Sequence, residues 1–323
     1  MKRLVCLLMF VLLGHPGVPA LAQTWPAKPV RVIVPYPTGG PIDTFVRSVT
    51  DRLAQQWGQP VLIENRPGSS TISAAETAAR AAPDGYTLLL TTDATFTINP
   101  HLFKKLPYDI FKDFEPVSLV VFLHMMMVAQ PGFPANNVAE LVALAKAKPG
   151  TISYGSFGSG SQPHLATEML KSRAGIDLLH VPYKALPPAM IAVLANEVQL
   201  TFVGPATAMS QLKAGKLKAL AIAGPRRHPS FPDLPTFVEA GYPEIDADVW
   251  YAFFAPGGTP KDIVARISRD TAKLVNDPEF REKYIIGRGY TPAGTTPEEL
   301  AALIRRQLAS REQAVKVSGA RAE

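Results

Sequence analysis

Short apolar runs rich in β-branched residues alternate along this chain with segments whose apolar positions recur every three or four residues. The runs at 30–34, 61–63, 87–91, 151–154, 178–181, 198–203 and 217–223 predict strands. After the first run, Ile42, Phe45, Val46, Val49, Leu53 and Trp57 mark one face of a helix. The same spacing predicts helices over 72–81, 138–147, 163–173, 187–195 and 206–213. Strands alternating with helices in this way imply an α/β fold of mostly parallel sheets covered by helices.

The last part of the chain breaks the pattern. One buried strand, 248–255, is followed only by predicted helices at 260–276, 278–286 and 297–317. One strand with three helices makes a poor domain by itself, so this part is expected to complete a lobe begun earlier. The resulting division is a first lobe from 23–122, a second from 123–247, and completion of the first by 248–323. The chain then crosses between lobes twice, near 121–128 and 246–250. In open α/β sheets ligands bind beyond the carboxyl ends of the strands, which in a two-lobed molecule face a shared cleft.

The first 22 residues read as an export signal. Lys2 and Arg3 precede an apolar stretch over 4–13, and Ala20-Leu21-Ala22 offers a small-residue cleavage site before Gln23. The stretch is about half the roughly 20 residues that a spanning helix needs. The single cysteine, Cys6, falls inside this segment, so the exported chain holds no disulfide and no lipid-accepting cysteine. About 300 residues remain, enough for two lobes stabilised by core burial alone. The formal charge of +6 is spread among alternating acids and bases, without a basic tract interleaved with aromatics. Nucleic acid is therefore not an expected partner, while anionic solutes meet a mildly favourable field.

Two strand-to-helix turns carry candidate chemistry. The first is Pro35-Tyr36-Pro37-Thr38-Gly39-Gly40-Pro41-Ile42-Asp43. Two glycines permit close backbone approach, the helix that follows points its positive end at the turn, and Asp43 suits that first helical turn. The second is Gly155-Ser156-Phe157-Gly158-Ser159-Gly160-Ser161-Gln162-Pro163-His164, where hydroxyls and free amides converge on an anion-sized space. Neither turn carries a lysine or arginine, so capture by neutral donors is expected.

Enzyme motifs fail on the second turn. It lacks the lysine of a nucleotide P-loop, Pro163 occupies the third glycine of a dinucleotide fingerprint, and no serine is flanked as in a nucleophile elbow. The histidines His101, His124, His164, His180 and His228 form no metal-ligand pair by spacing, and His164 is expected to cap or pack. The residues thus suggest a binding module without cofactor or metal. A periplasmic enzyme using the same cleft is the alternative from another class.

A set of short segments occurs in a telling order: Gly39-Gly40 with Asp43, Glu64-Asn65-Arg66-Pro67-Gly68, Pro83-Asp84-Gly85-Tyr86-Thr87, Asn99-Pro100, Leu106-Pro107-Tyr108-Asp109, the glycine-serine turn, and His180-Val181-Pro182-Tyr183-Lys184. Ala214-Gly215-Lys216-Leu217, Pro235-Thr236 and Glu239-Ala240-Gly241 follow. From about Trp25 to Arg321 the chain resembles the receptors of the tripartite tricarboxylate transporter family, the Bug-type extracytoplasmic solute receptors. That resemblance implies a two-lobed, type II-like periplasmic-binding-protein fold, a small carboxylate as ligand, and membrane transporter subunits as partners. A role in sensing, with a membrane histidine kinase as partner, fits the same resemblance. It further implies first-lobe ligand residues Tyr36, Thr38, Gly39, Gly40, Asp43, Thr92 and Asp93, and second-lobe residues Ser156, Gly158, Ser159, Gly160, Ser161 and Tyr183, with Phe157 added by its place in the turn. Pro41, Phe157 and Ala185 depart from the family pattern, and Asp93 is an added acid.

Two observations bear on the ligand's body. Val203, Gly204 and Pro205 offer no acid where receptors of this type that take amino acids are expected to hold one, leaving Asp93 as the nearby candidate. Phe157, Tyr36 and Phe96 suggest aromatic walls, and with them an aromatic carboxylate. A monomer is expected.

Overall fold

The computed structural model describes residues 25–321, so the predicted export signal lies outside the described residues. The strands are β1 (Val30–Val34), β2 (Val61–Asn65), β3 (Thr87–Thr92), β4 (Phe114–His124), β5 (Met126–Ala129), β6 (Ser153–Ser156), β7 (Leu179–Pro182), β8 (Leu200–Val203), β9 (Lys218–Ile222), β10 (Asp248–Pro256) and β11 (Thr291–Pro292). The helices are α1 (Pro41–Trp57), α2 (Ile72–Ala79), α3 (Asn99–Leu102), α4 (Val138–Ala147), α5 (Gln162–Ala174), α6 (Leu186–Leu194), α7 (Pro205–Lys213), α8 (Lys261–Asn276), α9 (Pro278–Phe280) and α10 (Pro297–Ser318). A wide π-turn, Ala94–Ile98, joins β3 to α3.

The strands form two sheets, in the orders β11-β4-β10-β3-β1-β2 and β7-β6-β8-β5-β9. β1 runs parallel to β2 and β3, and β6 runs parallel to β7 and β8, as helical crossovers require. Antiparallel pairing is more extensive than strand–helix alternation predicts, and every antiparallel ladder involves β4, β5 or β10. These strands take the chain from one sheet to the other, where no crossover helix intervenes to keep the direction. β4 leads through Met125 directly into β5, and Asp248 at the start of β10 pairs with His124 at the end of β4. The two crossings therefore lie side by side.

Burial follows the predicted periodicities. Phe45, Val46, Val49 and Leu53 of α1 are fully buried against Val32, Val34, Leu88 and Leu90, and Gly58 ends the helix in a left-handed conformation. Removing each such side chain from water contributes about 1.5–3 kcal/mol. The other face of the first sheet packs Ile33, Phe96, Trp250 and Phe254 against Leu300, Leu303 and Ile304 of α10. That helix starts with a capping box between Thr296 and Glu299. Its far end leaves the first core: Ala314 and Val315 pack with Leu165, Leu170 and Phe202 in the core of the second sheet. α10 thus braces both sheets.

Candidate functional site

The first glycine turn leaves β1 and enters α1. Gly39 sits at φ +82°, which favours glycine, and its N–H donates to Asp43 Oδ2 at 2.8 Å. Arg47 grips the same carboxylate with Nε at 2.9 Å and Nη2 at 3.1 Å, and Asn65 Nδ2 donates to Oδ1 at 2.8 Å. Asn65 also donates to the Tyr36 carbonyl and accepts from the Thr38 hydroxyl, each at 3.0 Å. Burial pushes the Asp43 pKa up, but the bonds from Arg47, Gly39 and Asn65 outweigh it and hold the carboxyl below its ordinary range. Asp43 is buried and occupied, so it shapes the turn. Thr38 and Gly39 stand exposed, and Gly40 provides the N-cap of α1 without a side-chain cap.

The second turn leaves β6 and enters α5. Ser156 is fully buried, its Oγ 2.7 Å from His180 Nε2 and accepting from the Gly158 N–H at 3.2 Å. Ser161 Oγ donates to the Gly158 carbonyl at 2.7 Å, and Gly158 and Gly160 lie at φ +119° and +77°. The Gly160 N–H donates to His164 Nδ1 at 3.0 Å, so that ring nitrogen is an acceptor. His164 stacks on His180 with centroids 4.1 Å apart, and His180 stacks in turn on Tyr154. Burial, helped by His180, lowers the His164 pKa to about 4. His164 caps and packs, as the sequence suggested. Ser156 and His180 make a serine–histidine pair that spacing had not revealed, and its hydroxyl is fully buried.

The two turns meet around the end of β3. Tyr36 Oη lies 2.7 Å from Thr92 Oγ1, the next residue is Asp93, and Asp93 is held by the side-chain amide of Gln162, which follows Ser161. Gln162 also donates to the Asp248 carbonyl at 3.0 Å. Gly160 lies so close to α3 that a β-carbon would come within 2.7 Å of Leu102. Of the residues expected to touch ligand, Thr38, Gly39 and Ser159 are exposed and Tyr36, Gly40, Phe157, Gly158, Ser161 and Tyr183 are half-buried. Asp43, Thr92, Asp93, Ser156 and Gly160 are buried beneath them. Tyr183 backs the second turn, its N–H donating to the Ser156 carbonyl at 2.9 Å.

One expected aromatic wall is absent from the meeting point. Phe96 is fully buried and stacks on Phe254 with centroids 3.8 Å apart, because the π-turn rotates it into the core of the first sheet. Phe157 packs partly against the second core. A cavity of about 690 Å³ lies elsewhere, behind the crossing strands, lined among others by Phe122, His124, Asp248 and Gln307 and by no residue of either turn. Spacing did not identify Arg47 or Arg311; Asn65 was visible within the Glu64–Gly68 segment and Gln162 within the second turn, but without their roles as strut of the first turn and cover of Asp93. Among the described residues no group of three or more His, Cys, Asp or Glu side chains could hold a metal, and no helix is long and apolar enough to cross a membrane.

Two α/β sheets joined by paired crossing strands, with glycine turns converging between them, define a solute-binding protein of the periplasmic class. Residues 45–319 match the model of the tripartite tricarboxylate transporter family receptor, and the chain belongs to that family. Protein BugT of Bordetella pertussis is 32% identical over 323 residues, covering 99% of both chains. Among solved structures, R. palustris Rpa4515 with adipate is 30% identical, with a TM-score of 0.79 over 92% of this chain and 99% of that one. MatC from Rhodopseudomonas palustris with bound malate is 32% identical, with a TM-score of 0.74 over 90% and 99%. The protein is thus a periplasmic solute-binding receptor of this family.

Proposed function

We propose that the receptor captures a small dicarboxylate, one carboxylate at each glycine turn, and delivers it to the membrane subunits of a tripartite tricarboxylate transporter. The observation that supports this is the short path from Tyr36 through Thr92, Asp93 and Gln162 to Ser161, which brings two donor-rich turns together. Helix N-termini and hydroxyls supply the donors, and the guanidinium nearest the first turn, Arg47, is already bound to Asp43. A buried, occupied Asp93 leaves no free acid for an ammonium group, which speaks against amino acids. The relatives solved with adipate and malate favour an open-chain acid over an aromatic one, as does the burial of Phe96.

Calorimetry against adipate, malate, phthalate and glutamate tests this reading. Adipate or malate should bind most tightly, and Ser159→Ala or Ser161→Ala should each weaken binding by roughly 1–3 kcal/mol. Tightest binding of phthalate or glutamate would reject the ligand class, and unchanged affinity in both serine variants would reject the second turn. For the partner, uptake of labelled dicarboxylate by cells carrying the membrane subunits should require the receptor. A ligand-dependent kinase response without such uptake would assign it to sensing.

A further inference from the structure

The interior of the hinge holds more acid than base. Asp93, just after β3, is 1% exposed and is covered by Gln162 from the start of α5. Facing it are Asp246 and Asp248 where the chain enters β10, Arg311 from α10, and the hydroxyls of Tyr36 and Tyr251. His124 of β4 lies behind Asp248 with Nδ1 2.7 Å from Oδ1, and the buried His228 lies near His124. Arg311, 2% exposed, contacts Asp246 Oδ1 at 3.1 Å and donates to the Asp246 and Asp248 carbonyls at 2.6 and 3.3 Å. It comes no nearer than 3.9 Å to Asp93.

Three carboxylates therefore share one guanidinium and one imidazole. Asp246 has the guanidinium and Asp248 has the imidazole, which leaves Asp93 with no cation of its own. Gln162 Oε1 is buried beside it without a donor, so a protonated Asp93 would relieve both the surplus charge and the surplus of acceptors. Burial, with Asp246 and Asp248 beside it and Arg311 pulling the other way, raises the Asp93 pKa to about 7. Separation of the sheets would carry Gln162 off and let water reach the carboxyl, returning it toward the ordinary value of about 3.9.

We infer that closure of the two sheets takes up a proton on Asp93, making the hinge a proton-linked latch that strengthens ligand capture as the surroundings acidify. The ligand side of this inference rests on the dicarboxylate reading above; the latch itself does not. The sign follows from the closed form binding the proton more tightly. Below the closed-form value and above the open-form value, closure absorbs up to one proton, so affinity rises up to tenfold per unit fall in pH. Above it, affinity is flat.

Two measurements decide the matter. In calorimetry with adipate between about pH 6 and 8, in buffers of different ionisation enthalpy, the receptor should take up a fraction of a proton that grows as pH falls. Asp93→Asn should abolish that uptake and flatten the affinity against pH; Gln162→Ala, which removes the cover and keeps the carboxyl, should reduce it. Without ligand, spin labels at Leu62→Cys in β2 and Ile191→Cys in α6, exposed sites on the two bodies, should report a shorter separation at pH 6 than at pH 8. In Asp93→Asn the short separation should persist across that range. Heats independent of buffer, or equal proton uptake in Asp93→Asn, would overturn the latch. If no carboxylate binds, the ligand reading fails alone, and a separation unmoved by pH in the ligand-free protein still overturns the latch.

Discussion

The two glycine turns occupy equivalent places in the two sheets, yet they are held by opposite chemistry. The first is tied to a buried charge: one carboxylate collects the Gly39 amide, the Arg47 guanidinium and the Asn65 amide. The second is tied to neutral groups: a serine hydroxyl and two stacked imidazoles, one of them accepting a backbone N–H. Rigid donors suit a ligand that must be held without a facing cation, and both frameworks provide them. They differ in what breaks them. A charged framework fails when its one carboxylate is lost, whereas a neutral one fails by small steps or by protonation.

The largest expected effect is at the charged turn. Asp43→Ala leaves a guanidinium and two amides without their acceptor and should cost ~3 kcal/mol, read from the denaturant midpoint. Ser156→Ala should cost only ~1 kcal/mol by the same measurement. Equal losses would erase the contrast. Next comes Gly160→Ala, which should cost ~2 kcal/mol because a positive φ and the contact with Leu102 act together. Leu102→Ala in the same chain should recover part of that loss, since the obstructing atoms belong to a side chain. Gly39→Ala, with open space around the new carbon, should cost ~1 kcal/mol from backbone conformation alone.

Acid separates the turns most finely. His164, lowered to about 4 when folded, contributes stability that is fully present above its ordinary value near 6.5 and is lost as pH falls toward 4. Asp43, held below its ordinary range, contributes stability that is lost only as pH falls through that still lower value. His164→Gln keeps an acceptor for the Gly160 amide without a titration. It should therefore leave a shallower fall in stability between pH 6.5 and 4, read from denaturant midpoints across that range. An unchanged pH profile would mean that His164 is not the group that acid attacks.

Much of this was legible from periodicity. β1 and α4 fall where the apolar spacing put them, and both turns lie at carboxyl ends of strands followed by helices. Local signals sufficed because each element is specified by its own residues and stops. Direction in the sheets was less legible: a crossing is expected near 121–128, but the apolar residues of 117–128 read as one run and give no sign of the reversed pairing on either side. The supports of the site were least legible, because their partners are far apart in sequence. Gln162 reaches Asp93 across 69 positions and Arg311 reaches the Asp246 carbonyl across 65. Phe96 was placed toward the ligand because it follows a strand's carboxyl end, and one turn of π-helix sends it inward instead.

The helix that closes the chain imposes a mechanical restriction. Two bodies joined by a pair of adjacent strands can bend about that pair, and they can also twist around it. α10 lays a third connection along that joint, with Arg311 donating to the Asp246 and Asp248 carbonyls, Leu300 and Ile304 anchored in one body, and Ala314 and Val315 in the other. A connection lying beside the axis moves little as the bodies swing about it, but it is stretched when they slide or twist past each other. A clam-like swing is therefore the motion expected of the molecule, one that returns the same two turns to register.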